Sequence, residues 1–339
     1  MADFNFKRQG VVDSFYKLEL ENRLQLVLKR YIPTFHGEIS CMMYTHGDVQ
    51  EPLSETVLLM GTVLRDQMNI LLKQATECGP KRKKGSFTHE NILPLLLKNK
   101  RKLKRLLRYL TMGDVRENVF KKKPIVAVAD LIDGVEHGKK VKTCLTCLQK
   151  MDPSFDIKEI MDNSVPDPVI AKRQQRRYLI TYHLNQEDYL DFSEKLQASF
   201  CPKGDNELFK KWLLLDNMTH LTPSNLAMEI INFLALETVA EIVDLCLWLK
   251  YNRNTDEKNN FNIDYKDPST NLDFNLLSQN FGDEFKEGVE KKPITPDNIR
   301  EALNIASGIH GYRYNVHWKT AKKPKLLCVQ DNDPNSLFA

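Results

Sequence analysis

Long runs of apolar side chains are missing from this sequence of 339 residues. The most extended apolar stretches lie near Ile92–Leu97 and Leu245–Leu249, far short of the roughly 20 residues that a membrane-spanning helix needs. Residues 1–10 also lack the apolar core of a signal peptide. The seven cysteines are odd in number and scattered, which is typical of a reducing compartment. These absences predict a soluble intracellular protein with no membrane partner.

Catalytic motifs are missing as well. The sequence contains no GxGxxG, P-loop, HExxH or GxSxG pattern. Cys144 and Cys147 form a CxxC pair with His137 upstream, but a structural zinc site needs four ligands and usually two such pairs. We therefore interpret the pair as two free thiols in a linker. The sequence predicts a protein that is not an enzyme, with no cofactor, no metal and no small-molecule substrate.

The composition allows a substantial folded core. Apolar residues make up 42% of the chain and charged residues 28%, while the net charge is only +4. Because the total charge is small, the distribution of charge along the chain carries more information about partners than its sum does.

A helical period dominates the segment between residues 53 and 78. Its apolar positions follow one another at spacings of three and four, which predicts one stripe on a long helix: Leu53, Val57, Met60, Leu64, Met68, Leu71, Ala75 and Cys78. A short helix is predicted before it at 38–44. Thr88 is placed to cap a short helix after it, and a basic helix then runs to about residue 112.

The same order returns later in the chain. We expect a short helix at 206–217, a long one at 224–250, and a short one at 294–307 with Thr295 as its N-cap. The sequence therefore predicts an all-α protein with two short–long–short units. A long central helix cannot bury its stripe within one such unit, so the second unit of the chain is the expected partner of the first.

Several motifs in these units resemble the Spt-type, TBP-regulating histone-fold family of the SAGA coactivator complex. In the first unit they are Phe35, Glu38, Met42–Tyr44, Gly47–Asp48, Pro52–Leu53 and Glu55–Thr56. In the second unit they are "NLAMEIINFLALETVAEIVDLCLWLK" and "ITPDNIREAL". The resemblance covers about 35–112 and 186–308, with a weaker echo in "LLCVQ". It departs from the family at Pro94, which is expected to kink the third helix of the first fold.

This resemblance implies two histone folds in one chain, paired with each other. The implied division is an N-terminal extension (1–34), a first fold with its basic helix (35–112), a partly irregular linker (113–200), a second fold (201–308) with a long loop (252–293), and a C-terminal tail (309–339). The residues expected to pair the folds are Leu53, Val57, Met60, Leu64, Met68, Leu71, Ile230 and Leu234. The resemblance also implies a nuclear, non-enzymatic coactivator whose partners are TBP, other histone-fold subunits of SAGA and TBP-associated factors.

The stretch "KNKRKLKRLLRYL" at 98–110 has seven Lys or Arg among its first eleven residues. They form a candidate basic patch for DNA phosphates or nuclear import: Lys98, Lys100, Arg101, Lys102, Lys104, Arg105 and Arg108. Four leucines at spacings of three and four in the same stretch indicate that one face packs on protein. We prefer a docked helix with a solvated basic face. Non-specific DNA contact through the basic region 79–123 is the alternative, and an acidic protein partner is a third possibility.

Three acidic residues share one side of the second long helix. Glu237, Glu241 and Asp244 are spaced by four and three, so their side chains point the same way. The simpler interpretation is a solvated acidic stripe. The functional interpretation is a contact for a basic partner, and the family resemblance makes TBP the candidate.

Overall fold

The computed structural model describes residues 35–80, 85–121, 137–162, 166–182, 184–214, 220–258 and 292–306. The predicted N-terminal extension, the predicted C-terminal tail and most of the loop at 252–293 lie outside these residues. Within the described ranges no helix is long and apolar enough to cross a bilayer.

Helices account for almost all of the regular structure. In chain order they are α1 (His36–His46), α2 (Ser54–Cys78), α3 (His89–Leu96), α4 (Lys100–Phe120), α5 (Lys139–Met151), α6 (Ile157–Met161), α7 (Pro168–Tyr182), α8 (Gln186–Lys195), α9 (Glu207–Leu213), α10 (Asn225–Lys258) and α11 (Pro296–Ala306). A 3-10 turn at Pro202–Gly204 and two strands, β1 (Ser86–Phe87) and β2 (Thr222–Pro223), complete the described elements. The predicted all-α class is therefore confirmed.

The helices of the first short–long–short unit lie where the sequence places them. The long helix α2 buries Val57, Met60 and Leu64, as the periodic stripe predicts. At the start of α3 the backbone N–H of Thr88 donates to Asn91 Oδ1 at 2.9 Å, so the predicted capping residue takes part in a capping box. Pro94 lies inside α3, which nevertheless continues to Leu96.

The second unit repeats this order with α9, α10 and α11. The backbone N–H of Thr295 donates to Asn298 Oδ1 at 3.0 Å, and the N–H of Asn298 reaches Thr295 Oγ1 at 3.4 Å, so Thr295 caps α11 as predicted. α10 is longer than predicted: it ends at Lys258, eight residues past the predicted end at Lys250.

The two units contact each other directly. β1 pairs in parallel with β2, with Phe87 opposite Pro223. α10 packs against α1, α2 and α3, and α11 packs against α2. Of the residues predicted to pair the folds, Leu53 is half-buried at the N-cap of α2, whereas the others are buried in one core.

Most of the described residues in the segment predicted as a partly irregular linker, 113–200, are helical. It holds the last third of α4 and all of α5–α8. α5 packs on α3 and α4 and buries Val141, Cys144 and Leu148 at spacings of three and four. The described part of this segment therefore holds more helix than the sequence predicted, because the buried stripes are narrow and lie among many charged side chains. Cys144 and Cys147, expected in a linker, lie on the buried face of α5.

Candidate functional site

The acidic triad of α10 does not form the solvated stripe or the partner surface that the sequence suggested. Glu237 and Glu241 are only 8% and 4% exposed, and the carboxylate side chain of Asp244 is 10% exposed. The three residues do share one side of the helix, but that side faces the protein interior. The proposed acidic contact for TBP is therefore corrected, because none of these carboxylates is available to a partner.

Basic residues from two other helices meet each member of the triad. Lys102 Nζ of α4 lies 2.7 Å from Glu241 Oε1. Arg173 of α7 lies between two carboxylates, with Nη1 2.9 Å from Glu237 Oε1 and Nε 2.7 Å from Asp244 Oδ2. These contacts form the centre of a buried ion-pair network that joins α4, α7 and α10.

Two further arginines extend the network. Arg105 of α4 donates from Nε and Nη2 to the two carboxylate oxygens of Asp167, at 2.6 and 3.0 Å, and its Nη1 approaches Glu237 Oε2 at 3.5 Å. Arg176 of α7 donates to Asp244 Oδ1 at 2.7 Å and to the carbonyl oxygen of His46 at 2.5 Å. The bidentate pair with Asp167 adds geometric specificity, because a planar guanidinium fits a carboxylate in one orientation.

Local sequence explains how α7 is held in this position. Asp167, just before the helix, accepts hydrogen bonds from the backbone N–H groups of Val169 and Ile170 at 2.9 and 3.3 Å, so one carboxylate caps α7 and binds Arg105. Gly47 ends α1 with φ at +124°, and a Cβ there would lie 2.7 Å from Arg176 Cδ. The close approach of Arg176 to α1 therefore depends on glycine at 47.

The network shifts the pKa values of its members in opposite directions. Burial opposes ionisation of Asp244, but Arg173 and Arg176 outweigh it and lower the pKa of Asp244 to about 2. Burial together with the neighbouring charge of Glu237 raises the pKa of Glu241 despite its contact with Lys102. Burial, Arg173 and Arg177 lower the pKa of His46 to about 3, so this imidazole is neutral at pH 7.

The predicted basic patch is split between the surface and the core. Lys102 is fully buried and Arg105 is 6% exposed, so these two residues belong to the network. The prediction that these two residues contact DNA or act in nuclear import is therefore wrong, because their side chains lie in the interior. The side-chain oxygen of Asn99 caps α4 by accepting the backbone N–H of Lys102 at 2.9 Å. The cap sets where the helix begins, and in this helix the side chain of Lys102 points to the interior.

The other basic residues of the run lie at or near the surface. Lys98, Arg101 and Arg108 are exposed. Lys100 Nζ is exposed but pairs with Glu159 at 2.8 Å, and half-buried Lys104 donates to the carbonyl oxygen of Asp162. α4 therefore packs on the protein with one face, and its exposed face carries fewer basic residues than the sequence predicted.

The arginines of α7 that complete the network were not predicted from the sequence. Arg173 and Arg176 lie three residues apart, so they share one side of a helix, and this spacing was the available signal. The segment had been predicted as part of the linker, where no buried helix was expected.

A separate cluster involves Cys147 of the CxxC pair. Potential ligand atoms of His89, Glu90 and Cys147 all lie within 4.8 Å of one another, in the contact between α3 and α5. Cys144 is not part of this cluster, and burial raises the pKa of its thiol to about 12.

A helical chain with short–long–short units and a buried ionic network, but with no recognised catalytic motif, fits the class of histone-fold proteins. The family model of the transcription initiation factor IID 18 kDa subunit matches residues 33–124, which are the first unit and its basic helix. The TFIID subunit 13 of Dictyostelium discoideum is 31% identical over 80 residues, which cover 24% of this chain and 74% of that protein.

Longer matches extend beyond the first unit. The SAGA complex subunit Spt3 of Schizosaccharomyces pombe is 28% identical over 225 residues, covering 64% of this chain and 73% of the relative. SPT3 of Saccharomyces cerevisiae is 24% identical over 313 residues, covering 81% and 92%. The chain belongs to the Spt3-type family of histone-fold transcription proteins, as the sequence motifs had indicated.

Proposed function

We propose that this protein is a nuclear, non-enzymatic subunit of a SAGA-like coactivator complex that helps recruit or position TBP at promoters for RNA polymerase II initiation. Its short–long–short units are then two histone folds that pair in cis. Other SAGA subunits, including histone-fold subunits and TBP-associated factors, are the expected neighbours. The Spt3-type relatives support the coactivator role, and TBP as the recruited factor follows from the family resemblance.

The observation that carries this proposal is the contact between the two units of one chain. Asp48 Oδ1 accepts the backbone N–H of Ile294 at 2.9 Å, and Thr56 Oγ1 donates to the carbonyl oxygen of Ile294 at 2.9 Å. Both bonds are buried and both join the first unit to the segment that leads into α11. A chain that covers its own hydrophobic stripe in this way can present a folded surface to other subunits.

Pairing in cis has a direct test. A chain that pairs with itself stays monomeric, and its melting temperature does not depend on protein concentration. Light scattering and thermal unfolding over a hundredfold range of concentration measure both properties. A mass of two chains together with a concentration-dependent melting temperature would replace cis pairing with pairing between two copies.

A second candidate function is binding of DNA phosphates. Arg101 and Arg108 are exposed and seven residues apart, on one face of α4, with Lys98 exposed just before the helix. Charge of this kind gives sequence-independent binding that weakens with salt, at a slope of about −0.9 per phosphate neutralised.

One experiment separates the two functions. Binding of the purified full chain to TBP and to a duplex DNA of random sequence is measured in parallel across a salt series. Saturable TBP binding that persists at moderate salt, with weak DNA binding, supports the coactivator proposal. Tight DNA binding that collapses with salt, without TBP binding, supports the alternative.

Charge variants sharpen this comparison. Replacing Lys98, Arg101 and Arg108 by Glu reverses three exposed charges of the basic run and leaves Lys100, which pairs with Glu159, in place; it should abolish DNA binding if the three contact phosphates. The matched control replaces Lys73, Lys142 and Lys211 by Glu, because these three lysines are also exposed but lie outside the basic run. Equal loss with both triple variants would assign the effect to total charge.

A further inference from the structure

A cavity of about 260 Å³ lies where α1, α4, α7 and α10 meet, with residues that follow α8 at its rim. Its apolar wall is formed by side chains of four helices: Met42, Tyr109, Ile170, Phe233 and Leu236. Its polar wall is formed by Arg173, Arg177 and His46, with Glu237 and Lys195 beside them. The cavity therefore adjoins the buried ion-pair network on one side and an apolar surface on the other.

Arg173 brings an unused donor to this cavity. The residue is only 4% exposed, and two of its three guanidinium nitrogens are paired with Glu237 and Asp244. Its third nitrogen, Nη2, is buried and has no hydrogen-bond partner among the described residues. A buried donor without a partner destabilises the folded protein, and more so where the group is charged, so such atoms usually mark the place of an acceptor.

Arg177 brings a second unused donor. Its Nε is also buried without a partner in the described part of the chain. Its Nη2 lies 3.4 Å from His46 Nε2, whereas His46 Nδ1 lies 2.8 Å from the carbonyl oxygen of Met42. This arrangement makes Nδ1 the protonated nitrogen of a neutral ring, so His46 offers Arg177 an acceptor but no negative charge.

The charges around the cavity do not balance. Among the described residues, six cations take part in the network or line the cavity: Lys102, Arg105, Arg173, Arg176, Arg177 and Lys195. Five carboxylates face them: Asp167, Glu237, Glu241 and Asp244, together with Asp191, which pairs with Lys195 at 2.7 Å. Burial, Arg173 and Arg176 together lower the pKa of Arg177, which agrees with one excess positive charge at this place. Buried charges are normally paired, so one negative charge is needed to complete the cluster.

We propose that this cavity binds the carboxylate of an acidic side chain supplied by a protein partner, with an apolar neighbour of that side chain against the wall formed by Met42, Phe233 and Leu236. The carboxylate would accept from Arg173 Nη2 and Arg177 Nε. A single carboxylate neutralises the one excess charge, whereas a phosphate group carries about −1.5 to −2 and would leave the opposite excess.

This inference goes beyond the proposed coactivator function and does not depend on TBP. The binding segment is defined by its chemistry, an acidic residue with an apolar neighbour, and not by the protein that carries it. The probe is therefore a blocked peptide, acetyl-Leu-Glu-Phe-amide, titrated into the full chain and followed by NMR of the arginine side chains. The neutral counterpart is acetyl-Leu-Gln-Phe-amide, which has nearly the same shape but no charge.

The expected result is saturable binding of the acidic peptide with shifts of the Arg173 and Arg177 signals. The Gln peptide should bind at least tenfold more weakly, which corresponds to about 1.4 kcal/mol. Equal binding of the two peptides would overturn the proposal, because the apolar wall alone would then explain the affinity. Equal affinity of sodium acetate for the cavity would also overturn the proposed occupant, since a small anion would be sufficient.

A pair of variants tests the residue assignment. Arg177→Gln should reduce binding of the acidic peptide at least tenfold and raise the melting temperature of the free protein, because it removes a half-buried charge that has no carboxylate partner in the described part of the chain. Lys172→Gln is the matched control, since it removes the same charge from α7 outside the cavity. Undiminished binding by Arg177→Gln would show that the peptide does not bind in this cavity. An equal loss of binding with Lys172→Gln would show the same.

Discussion

Lys102 Nζ lies 2.7 Å from Glu241 Oε1, and the two side chains are 0% and 5% exposed. From the sequence alone, Lys102 was a candidate for contact with DNA and Glu241 for contact with a basic protein. In the structure the two residues form an ion pair with each other. Removing one member of such a pair leaves an uncompensated buried charge, which usually costs about 3–5 kcal/mol. The pair therefore joins α4 to α10, and neither residue is available as a contact surface.

Reversal of two of the three charges of the acidic triad should destroy the fold. Glu237→Lys with Glu241→Lys places two cations against Lys102, Arg105 and Arg173, so we expect a loss of more than about 5 kcal/mol in the free energy of unfolding. Denaturant unfolding measures it. The control, Glu187→Lys with Glu194→Lys, makes the same change of charge on the exposed face of α8 and should stay within about 0.5 kcal/mol per site. A cooperative double variant of the triad with an unchanged midpoint would contradict the buried network.

A double-mutant cycle should show that Lys102 and Glu241 are coupled. Lys102→Met and Glu241→Leu should each destabilise the protein by about 3–5 kcal/mol, because each leaves the other charge buried and unpaired. The double variant should recover most of that loss, since two apolar groups of similar size can replace an ion pair. Urea midpoints of the four proteins give the coupling energy. Strictly additive losses would mean that the two charges do not stabilise each other.

The contact between Thr56 and Ile294 should stabilise the pairing of the two units. Thr56→Val keeps the shape but removes the buried hydrogen bond to the Ile294 carbonyl, so we expect a loss of about 1–2 kcal/mol. Thr62→Val is the matched control, because the hydroxyl of Thr62 bonds within its own helix at an exposed position. Thermal unfolding compares the two variants. Equal stability of both would mean that the bond to Ile294 contributes nothing to the pairing.

His46 should make the protein less stable in mild acid. Its pKa is about 3 in the folded protein against about 6.5 when unfolded, so between these values the unfolded chain holds a proton that the folded chain does not. The contribution of His46 to the free energy of unfolding should therefore fall by up to about 1.4 kcal/mol for each pH unit below about 6. Asp244 adds its own loss only at lower pH, as the medium approaches its folded pKa of about 2.

Substitution of His46 by Asn isolates this contribution. The Asn amide can still donate to the Met42 carbonyl, but it does not titrate. The difference in unfolding free energy between the original protein and His46→Asn should change with pH between 6 and 4, because only one of them loses stability through this group. Parallel curves over that range would show that His46 is not held neutral in the folded protein.

Local sequence determined the positions of the helices of the two units. The stripe through Val57, Met60 and Leu64 and the capping residues Thr88 and Thr295 depend on neighbours within a few residues, so spacing alone revealed them. The same local information was too weak at 113–200, where short helices such as α5 bury narrow stripes and depend on α3 and α4 for their stability. The domain boundaries placed within and beyond this segment stay predictions.

Only the tertiary structure decided which charged residues lie at the surface and which lie in the interior. Lys98 and Lys102 are the same residue type four positions apart, yet one is exposed and the other is fully buried. The difference arises because Lys102 faces Glu241, and Arg173 faces Glu237, from helices far apart in the chain. Burial of a charge depends on its partner across such a contact, so the network, the charge imbalance at Arg177 and the cavity beside it exist only in three dimensions.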